Sequence, residues 1–386
     1  MNNFEFYNPV KIIFGKDQLD KLGTLIPGNK KVLMLYGGGS IFKNNVHASI
    51  KKALQNHTIL EFGGIEPNPH YETTMKAVDL IKKENIEFLL AVGGGSVIDA
   101  TKFIAAAAFV EDKEPWEILN NHLLIKKALP LGTVLTLPAT GSEMNSGGVI
   151  TRIATHEKRA FGSPLVFPQF SFLMPEAAGT LPQRQVANGV ADAFVHVMEQ
   201  YITYPAGAPL QDRFAEAVLH TLVEEGPKAF ANPADYSAMS NLMWSATMAL
   251  NGVIACGVPQ DWTTHMIGHE LTAFFGIDHA RTLAIIAPPL YRHCLNDKQE
   301  KLAQYGERIW GVTGNTVQEK ALAAIEKTEQ FFHSLEIKTR LSEYTPKYEG
   351  TAEKIAERFT SRGWLGMGER QSIKPSDVEK IVKAAY

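Results

Sequence analysis

The chain has 386 residues, 45% of them hydrophobic and 20% charged, the proportions of a globular protein long enough for two domains. A formal net charge of -3 without a strongly basic run argues against nucleic acid or an anionic membrane as partner. Two cysteines, Cys256 and Cys294, rule out a disulfide framework and lack CxxC spacing, so any metal must rest on histidine and carboxylate.

At the N-terminus no basic stretch precedes an apolar run, so no signal peptide is expected and the expected compartment is the cytoplasm. The most apolar runs, Phe103–Val110 and Leu283–Leu290, are far shorter than the roughly 18 residues of a membrane span. Lys11–Phe14 and Lys31–Tyr36 read as strands, the second ending in Gly37-Gly38-Gly39-Ser40. A polar helix over Asn45–Asn56, a strand over Thr58–Phe62, a turn through Pro67-Asn68-Pro69 and an amphipathic helix over Tyr71–Glu84 follow. Phe88–Val92 is a wholly apolar strand running into a second glycine turn, Gly93-Gly94-Gly95-Ser96. Apolar strands separated by helices predict a parallel sheet covered on both faces. Past about residue 177 the alternation gives way to helical patterns: Leu181–Tyr201, Leu210–Glu225, Asn241–Val253, Gln260–Phe274 and Thr282–Cys294. The expected fold is an α/β nucleotide-binding domain over residues 1–177 followed by an all-α metal-binding domain over 178–386.

Glycines at a strand end let backbone approach a phosphate, and the N–H groups opening the next helix favour an anion. Gly94, Gly95 and Ser96 therefore predict a pyrophosphate seat, although the pattern is not the GxGxxG fingerprint and a tight turn alone would also use glycine. At Gly37, Gly38 and Ser40 no acid is present for a ribose 2′-hydroxyl. Room for a 2′-phosphate, with Lys43 as countercharge, favours NADPH over NADH; the bland alternative is that Ser40 merely caps a helix. Thr136 and Thr140, in a turn of small and hydroxyl residues, offer donors to phosphate or ribose, and Lys158 by itself reads as solvated surface.

Asp192 and His196, four apart, project from one face of a helix for which Thr180 and Gln183 form an expected capping box. His265 and His269 repeat the spacing on a second helix that Pro259 helps to start and Gly276 stops, and Asp278-His279 opens the next. A lone histidine is more often a hydrogen-bonded core residue than a ligand. An aspartate in an apolar stretch, however, is costly without a partner, and the doubled spacing points to a metal. Imidazole and carboxylate without thiolate suit zinc or iron and argue against calcium. Spacing does not choose between His269 and His279 as the fourth ligand. Phe194, Trp262, Phe274 and Phe275 suggest an apolar substrate pocket or plain core.

Gly93-Gly94-Gly95-Ser96-x-x-Asp99-x-x-Lys102, Pro138-Ala-Thr140-Gly141-Ser142-Glu143, Asp192-x-x-x-His196, and His265-x-x-x-His269 followed by His279 together resemble the group III, iron-containing alcohol dehydrogenases. Pro9–Gly15, Gly37–Ser40 and Leu181–Gly189 are similar to the bacterial NADPH-dependent butanol dehydrogenases and broad-specificity aldehyde reductases, and the likeness covers essentially the whole chain. The resemblance implies a dehydroquinate-synthase-like fold, a cofactor cleft between the domains and a homodimer. It implies metal ligation by Asp192, His196, His265 and His279, which leaves His269 as proton carrier. Gly37, Gly38, Ser40 and Asn68 fall at its adenosine end, Gly94, Gly95 and Ser96 at its pyrophosphate, and Thr136, Thr140, Asn145 and Lys158 towards its nicotinamide half. Met174-Pro175 departs from the family's Asp-Pro, which predicts a local hinge difference. The implied reaction is reversible reduction of an aldehyde to a primary alcohol, with a metal-polarised carbonyl and hydride from NADPH. The competing readings are an NAD-dependent polyol dehydrogenase, a dehydroquinate-synthase-like lyase, a metallohydrolase, and a nucleotide-binding regulator without turnover.

Overall fold

The computed structural model describes every residue except Asn29, Asn121 and His122. Its contacts group into two compact units, one of Tyr7–Pro182 with Asn232–Thr247 and one of Met1–Phe6, Gln183–Ala231 and Met248–Tyr386.

The first unit is built on a six-stranded sheet of β1 (Lys11–Phe14), β2 (Lys31–Tyr36), β3 (Thr58–Phe62), β4 (Phe88–Gly94), β5 (Leu131–Leu137) and β8 (Phe170–Leu173). A separate antiparallel hairpin joins β6 (Gly147–Arg152) to β7 (Glu157–Gly162). The sheet is ordered β1-β8-β5-β4-β2-β3 with every pairing parallel. Leu33, Leu90 and Val134 on the central strands are fully buried, which is why those strands read as unbroken apolar runs. Helices α1 (Val46–Ala53), α2 (Tyr71–Glu84) and α3 (Gly95–Ala107) connect the strands. Asn85 ends α2 in the left-handed conformation, and α3 is buried along nearly its whole length.

After β2 the chain adds β3 on one side and then returns to place β4 on the other side of β2. The sheet's topological switch therefore lies between β2 and β4, where open parallel sheets hold ligands at the carboxyl ends of their strands. Met174, at the position of the expected hinge difference, is buried in the apolar core of this unit.

The segment Asn232–Thr247 groups with the sheet although it follows two helices of the other unit. It carries most of α6 (Tyr236–Ala249), whose Trp244 ring meets Phe14 edge-on at 6.4 Å and whose Thr247 hydroxyl donates to Glu143 Oε1 at 2.5 Å.

In the second unit α4 (Gln183–Tyr201), α5 (Pro209–Ala231), α7 (Thr263–Phe275), α8 (His279–His293), α9 (Leu295–Trp310), α10 (Val317–Ser334), α11 (Thr351–Ser361) and α12 (Pro375–Ala384) pack without a β-sheet. Ile267, Leu271, Ile285 and Phe359 are among the residues of one core cluster. Two expected helix starts differ. Thr180 donates its hydroxyl back to the Ala177 carbonyl and does not cap α4, which begins at Gln183 behind Pro182. At α7 the local anchor is Asp261 in place of Pro259: its Oδ1 accepts the Thr263 N–H at 2.9 Å and hydroxyl at 2.6 Å. Gly276, left-handed at φ 66°, ends α7 as expected. Asp278 then leads directly into α8.

Candidate functional site

Three helices bring the candidate metal ligands together. Asp192 and His196 are one turn apart on α4, His265 lies in the first turn of α7, and His279 is the first residue of α8. Asp192 Oδ1 lies 3.8 Å from His196 Nε2, 3.9 Å from His265 Nε2 and 3.8 Å from His279 Nε2. Donor atoms of Asp192, His265 and His279 all fall within 4.8 Å of one another, a mutual set that does not include His196. His196 reaches the same carboxylate oxygen and stacks on His265 with ring centroids 4.7 Å apart.

These spacings are too long for hydrogen bonds, whose heavy atoms sit about 2.9 Å apart. They approach the separation of about 3.4 Å expected for tetrahedral donors with bonds of about 2.1 Å to one cation. Asp192 Oδ1 is buried and, among the described residues, accepts no hydrogen bond. An oxygen so placed is costly unless a cation meets it. The donor set fits a divalent zinc or iron ion.

His269, half-buried one turn beyond His265, stands beside the cluster with its ring centroid 4.9 Å from that of His279. Trp262 packs edge-on against His265 at 5.5 Å. Of the other aromatic residues singled out as a pocket, Phe194 is core and Phe274 and Phe275 are partly buried. Phe194 is fully buried against Phe331 and Phe332, and Phe274 and Phe275 pack on the apolar cluster of α7 and α8.

Glu199 is the residue the sequence reading missed. It is buried on α4, accepts the His265 N–H through Oε1 at 3.2 Å and meets His265 Nδ1 with Oε2. Burial and then the Asp261 carboxylate push the Glu199 carboxyl well above the ordinary carboxylate range. The available signal was its position on the face of α4 that carries Asp192 and His196.

In the α/β unit, Gly37, Gly38 and Ser40 follow β2, Gly94, Gly95 and Ser96 span the end of β4 and the start of α3, and Thr136 and Thr140 lie at and just past the end of β5. Neighbouring strands thus bring these residues to one sheet edge. Packing accounts for part of the glycine pattern: a Cβ on Gly93 would stand 2.7 Å from Val97, and one on Gly95 would collide with the Thr140 side chain. Gly38 differs, because a Cβ there meets nothing within 4 Å. Ser40 caps no helix; it is the first residue of a short 3-10 turn whose cap is Gly39, left-handed at φ 91°.

Lys158 is not solvated surface. It is buried on β7 and donates to Asn68 Oδ1 at 2.9 Å. Asn145 is tied into its own loop, with Nδ2 donating to the Gly141 carbonyl and Oδ1 accepting from Lys102 Nζ at 2.9 Å. That buried lysine also donates to Ser142 Oγ and to the Gly147 carbonyl, and burial lowers its pKa to about 8 against the pull of Asp99 and Glu143.

Residues 9–175 match the family model described as iron-containing alcohol dehydrogenase, and residues 186–386 match the C-terminal model of the same family. The chain belongs to the iron-containing alcohol dehydrogenase family. It is 50% identical to the NADPH-dependent aldehyde reductase YqhD of Escherichia coli, with all of both chains covered. It is 42% identical over the full length of both chains to a protein of Bacillus subtilis named as a probable NADH-dependent butanol dehydrogenase. The crystal structure of YqhD superposes with a TM-score of 0.98, covering 100% of this chain and 99% of that one at 50% identity. The NADH-dependent butanol dehydrogenase A of Thermotoga maritima gives 0.93 at 33% identity, covering 100% and 99%. These matches carry the family's α/β-plus-helical fold to the chain as a whole.

Proposed function

We propose that this member of the family reduces small aliphatic aldehydes to primary alcohols with NADPH, reversibly, using one divalent zinc or iron ion held by Asp192, His196, His265 and His279. The observation that carries the reading is the convergence of three imidazole Nε2 atoms, from three helices, on the buried Asp192 Oδ1 at 3.8–3.9 Å. When bound, the cation supplies Lewis-acid polarisation of a carbonyl, and NADPH supplies hydride. On this reading residues 1–177 are the cofactor domain and 178–386 the metal domain.

NADPH is favoured over NADH by the absence of an acid at the carboxyl end of β2, where NAD sites usually present one to the ribose. Open space at Gly38 and the exposed Ser40, whose hydroxyl caps no helix, suit a 2′-phosphate, and YqhD carries NADPH dependence in its name. Gly37, Gly38, Ser40 and Asn68 would hold the adenosine end. Gly94, Gly95 and Ser96 would hold the pyrophosphate, and Thr136, Thr140, Asn145 and Lys158 the nicotinamide half. His269, close to His279, would carry the proton that completes the alcohol, since imidazole titrates near neutral pH.

Replacing His265 by Ala is expected to abolish bound metal and turnover of butyraldehyde while leaving NADPH binding largely intact. Full activity of that variant after chelation would refute the mechanism. We also propose a cytoplasmic homodimer. β1 stands at one edge of the sheet and can pair across a two-fold axis. A monomer mass by light scattering would remove that part. Among the described residues no helix is long and apolar enough to cross a membrane.

A further inference from the structure

One face of α4 carries Asn188, Asp192, His196 and Glu199, spaced by four, four and three residues. The middle two are the candidate ligands, and the outer two contact the segments that bear the other ligands. We propose that Glu199 and Asn188 are positioning residues for the metal centre, Glu199 orienting His265 and Asn188 holding the turn of His279. The inference rests on the metal reading above.

Glu199 grips His265 at two points, the backbone N–H and ring Nδ1, while Nε2 of the same ring faces Asp192 Oδ1. A Glu199 oxygen that accepts from Nδ1 keeps the ring proton there, so that Nε2 presents its lone pair to the cation. The Glu199 carbonyl also accepts the Asp261 N–H at 2.8 Å, which ties α4 to the start of α7 a second time.

At the other end of the face, Asn188 Nδ2 donates to Asp278 Oδ2 at 2.9 Å, and Asn188 Oδ1 accepts from Arg281 Nε at 3.1 Å. Asp278 immediately precedes His279. A single amide thus holds both sides of the residue that opens α8. One helix supplies two ligands and also sets the orientation of the other two.

The test uses full-length wild type, Glu199→Ala, Glu199→Gln, Asn188→Ala and Asp192→Ala, each stripped by chelator and reloaded with Zn²⁺ alone. Affinity is read by competition with a metal-indicator dye, and geometry by the visible spectrum of the Co²⁺-loaded proteins. Melting of the metal-free forms checks the fold. Wild type is expected to bind one Zn²⁺ per chain. Glu199→Ala should bind about 10–100-fold more weakly, the usual cost of losing a partner behind a ligand. Glu199→Gln retains an oxygen acceptor for Nδ1–H and should recover part of that loss, and Asn188→Ala should weaken binding and shift the Co²⁺ bands.

Zn²⁺ affinity equal to wild type in Glu199→Ala overturns the role of Glu199, and equal affinity with unchanged bands in Asn188→Ala overturns that of Asn188. If Glu199→Ala does not fold, Glu199→Gln decides: wild-type affinity and bands overturn the claim, and weaker binding supports it. Failure of wild type to load, or normal loading of Asp192→Ala, would instead sink the metal reading itself.

Discussion

Lys298→Met tests whether buried charges anchor the segments that carry the candidate metal ligands. The Lys298 side chain is 2% exposed, and its Nζ lies 3.0 Å from Asp261 Oδ2 and 2.8 Å from Glu369 Oε2, and donates to the Ile202 carbonyl at 2.7 Å. At an effective dielectric of about 20, unit charges some 3 Å apart attract by roughly 5 kcal/mol each, and dehydration of three buried ions cancels much of that. Removing the ammonium alone leaves two buried carboxylates without a countercharge, which costs about 3–5 kcal/mol. At about 2–4 °C per kcal/mol, Tm should fall by roughly 6–20 °C. Burial pulls the Lys298 pKa down, but Asp261 and Glu369 outweigh it and hold it above the ordinary lysine value. The contribution is therefore fully present below the unfolded lysine value of about 10.4 and is lost as pH rises through the folded value. Because Asp261 also anchors the start of α7, Zn²⁺ affinity at His265 should weaken with stability. The assays are calorimetry and dye competition on metal-free protein, with Lys298→Met/Asp261→Asn/Glu369→Gln as the charge-neutral control. A loss below about 1 kcal/mol in Lys298→Met would refute the buried-ion argument, as would a triple variant no more stable than the single one.

Two glycine substitutions separate cofactor contact from packing. Gly95→Ala must displace the Thr140 side chain and should lower stability by about 1–3 kcal/mol in thermal unfolding. Gly38→Ala enters open space, so its Tm should match wild type while NADPH affinity, read by fluorescence, falls; unchanged affinity would remove Gly38 from the cofactor site. Lys102 gives a pH signature. Its folded pKa of about 8 lies below the unfolded value of about 10.4, so in that window the unfolded chain binds the extra proton and stability from this group rises with pH. Below about 8 the cost of the buried charge is constant. The wild-type minus Lys102→Met difference in urea-unfolding free energy should climb across the window, and a flat difference contradicts the assignment.

The strands Lys11–Phe14, Lys31–Tyr36 and Thr58–Phe62 and the helix Tyr71–Glu84 were legible to the residue because each is a short run with clear pattern between turn signals. Lys158 misled for a reason local pattern cannot repair. Its strand pairs with β6, and its ammonium is buried against Asn68, far away in sequence. Glu199 shows the same divide. Its place on the face of α4 that carries Asp192 and His196 follows from helical spacing, but its partner, His265 Nδ1, is fixed only when α7 packs beside it. Asp261, Lys298 and Glu369 come from three separate segments and share no pattern at all.

The placement of His279 relative to His269 is the clearest case. Four residues along α7 advance the helix by about 6 Å, which carries His269 a full turn past the point where His265 faces Asp192. Gly276, in the left-handed conformation, then ends the helix and lets Asp278 return the chain, so that His279 Nε2 arrives 3.8 Å from Asp192 Oδ1. Spacing on one helix predicts which residues share a face. Where residues of different helices meet depends on the turns between them, and the left-handed Gly276 lies in the turn that leads to His279.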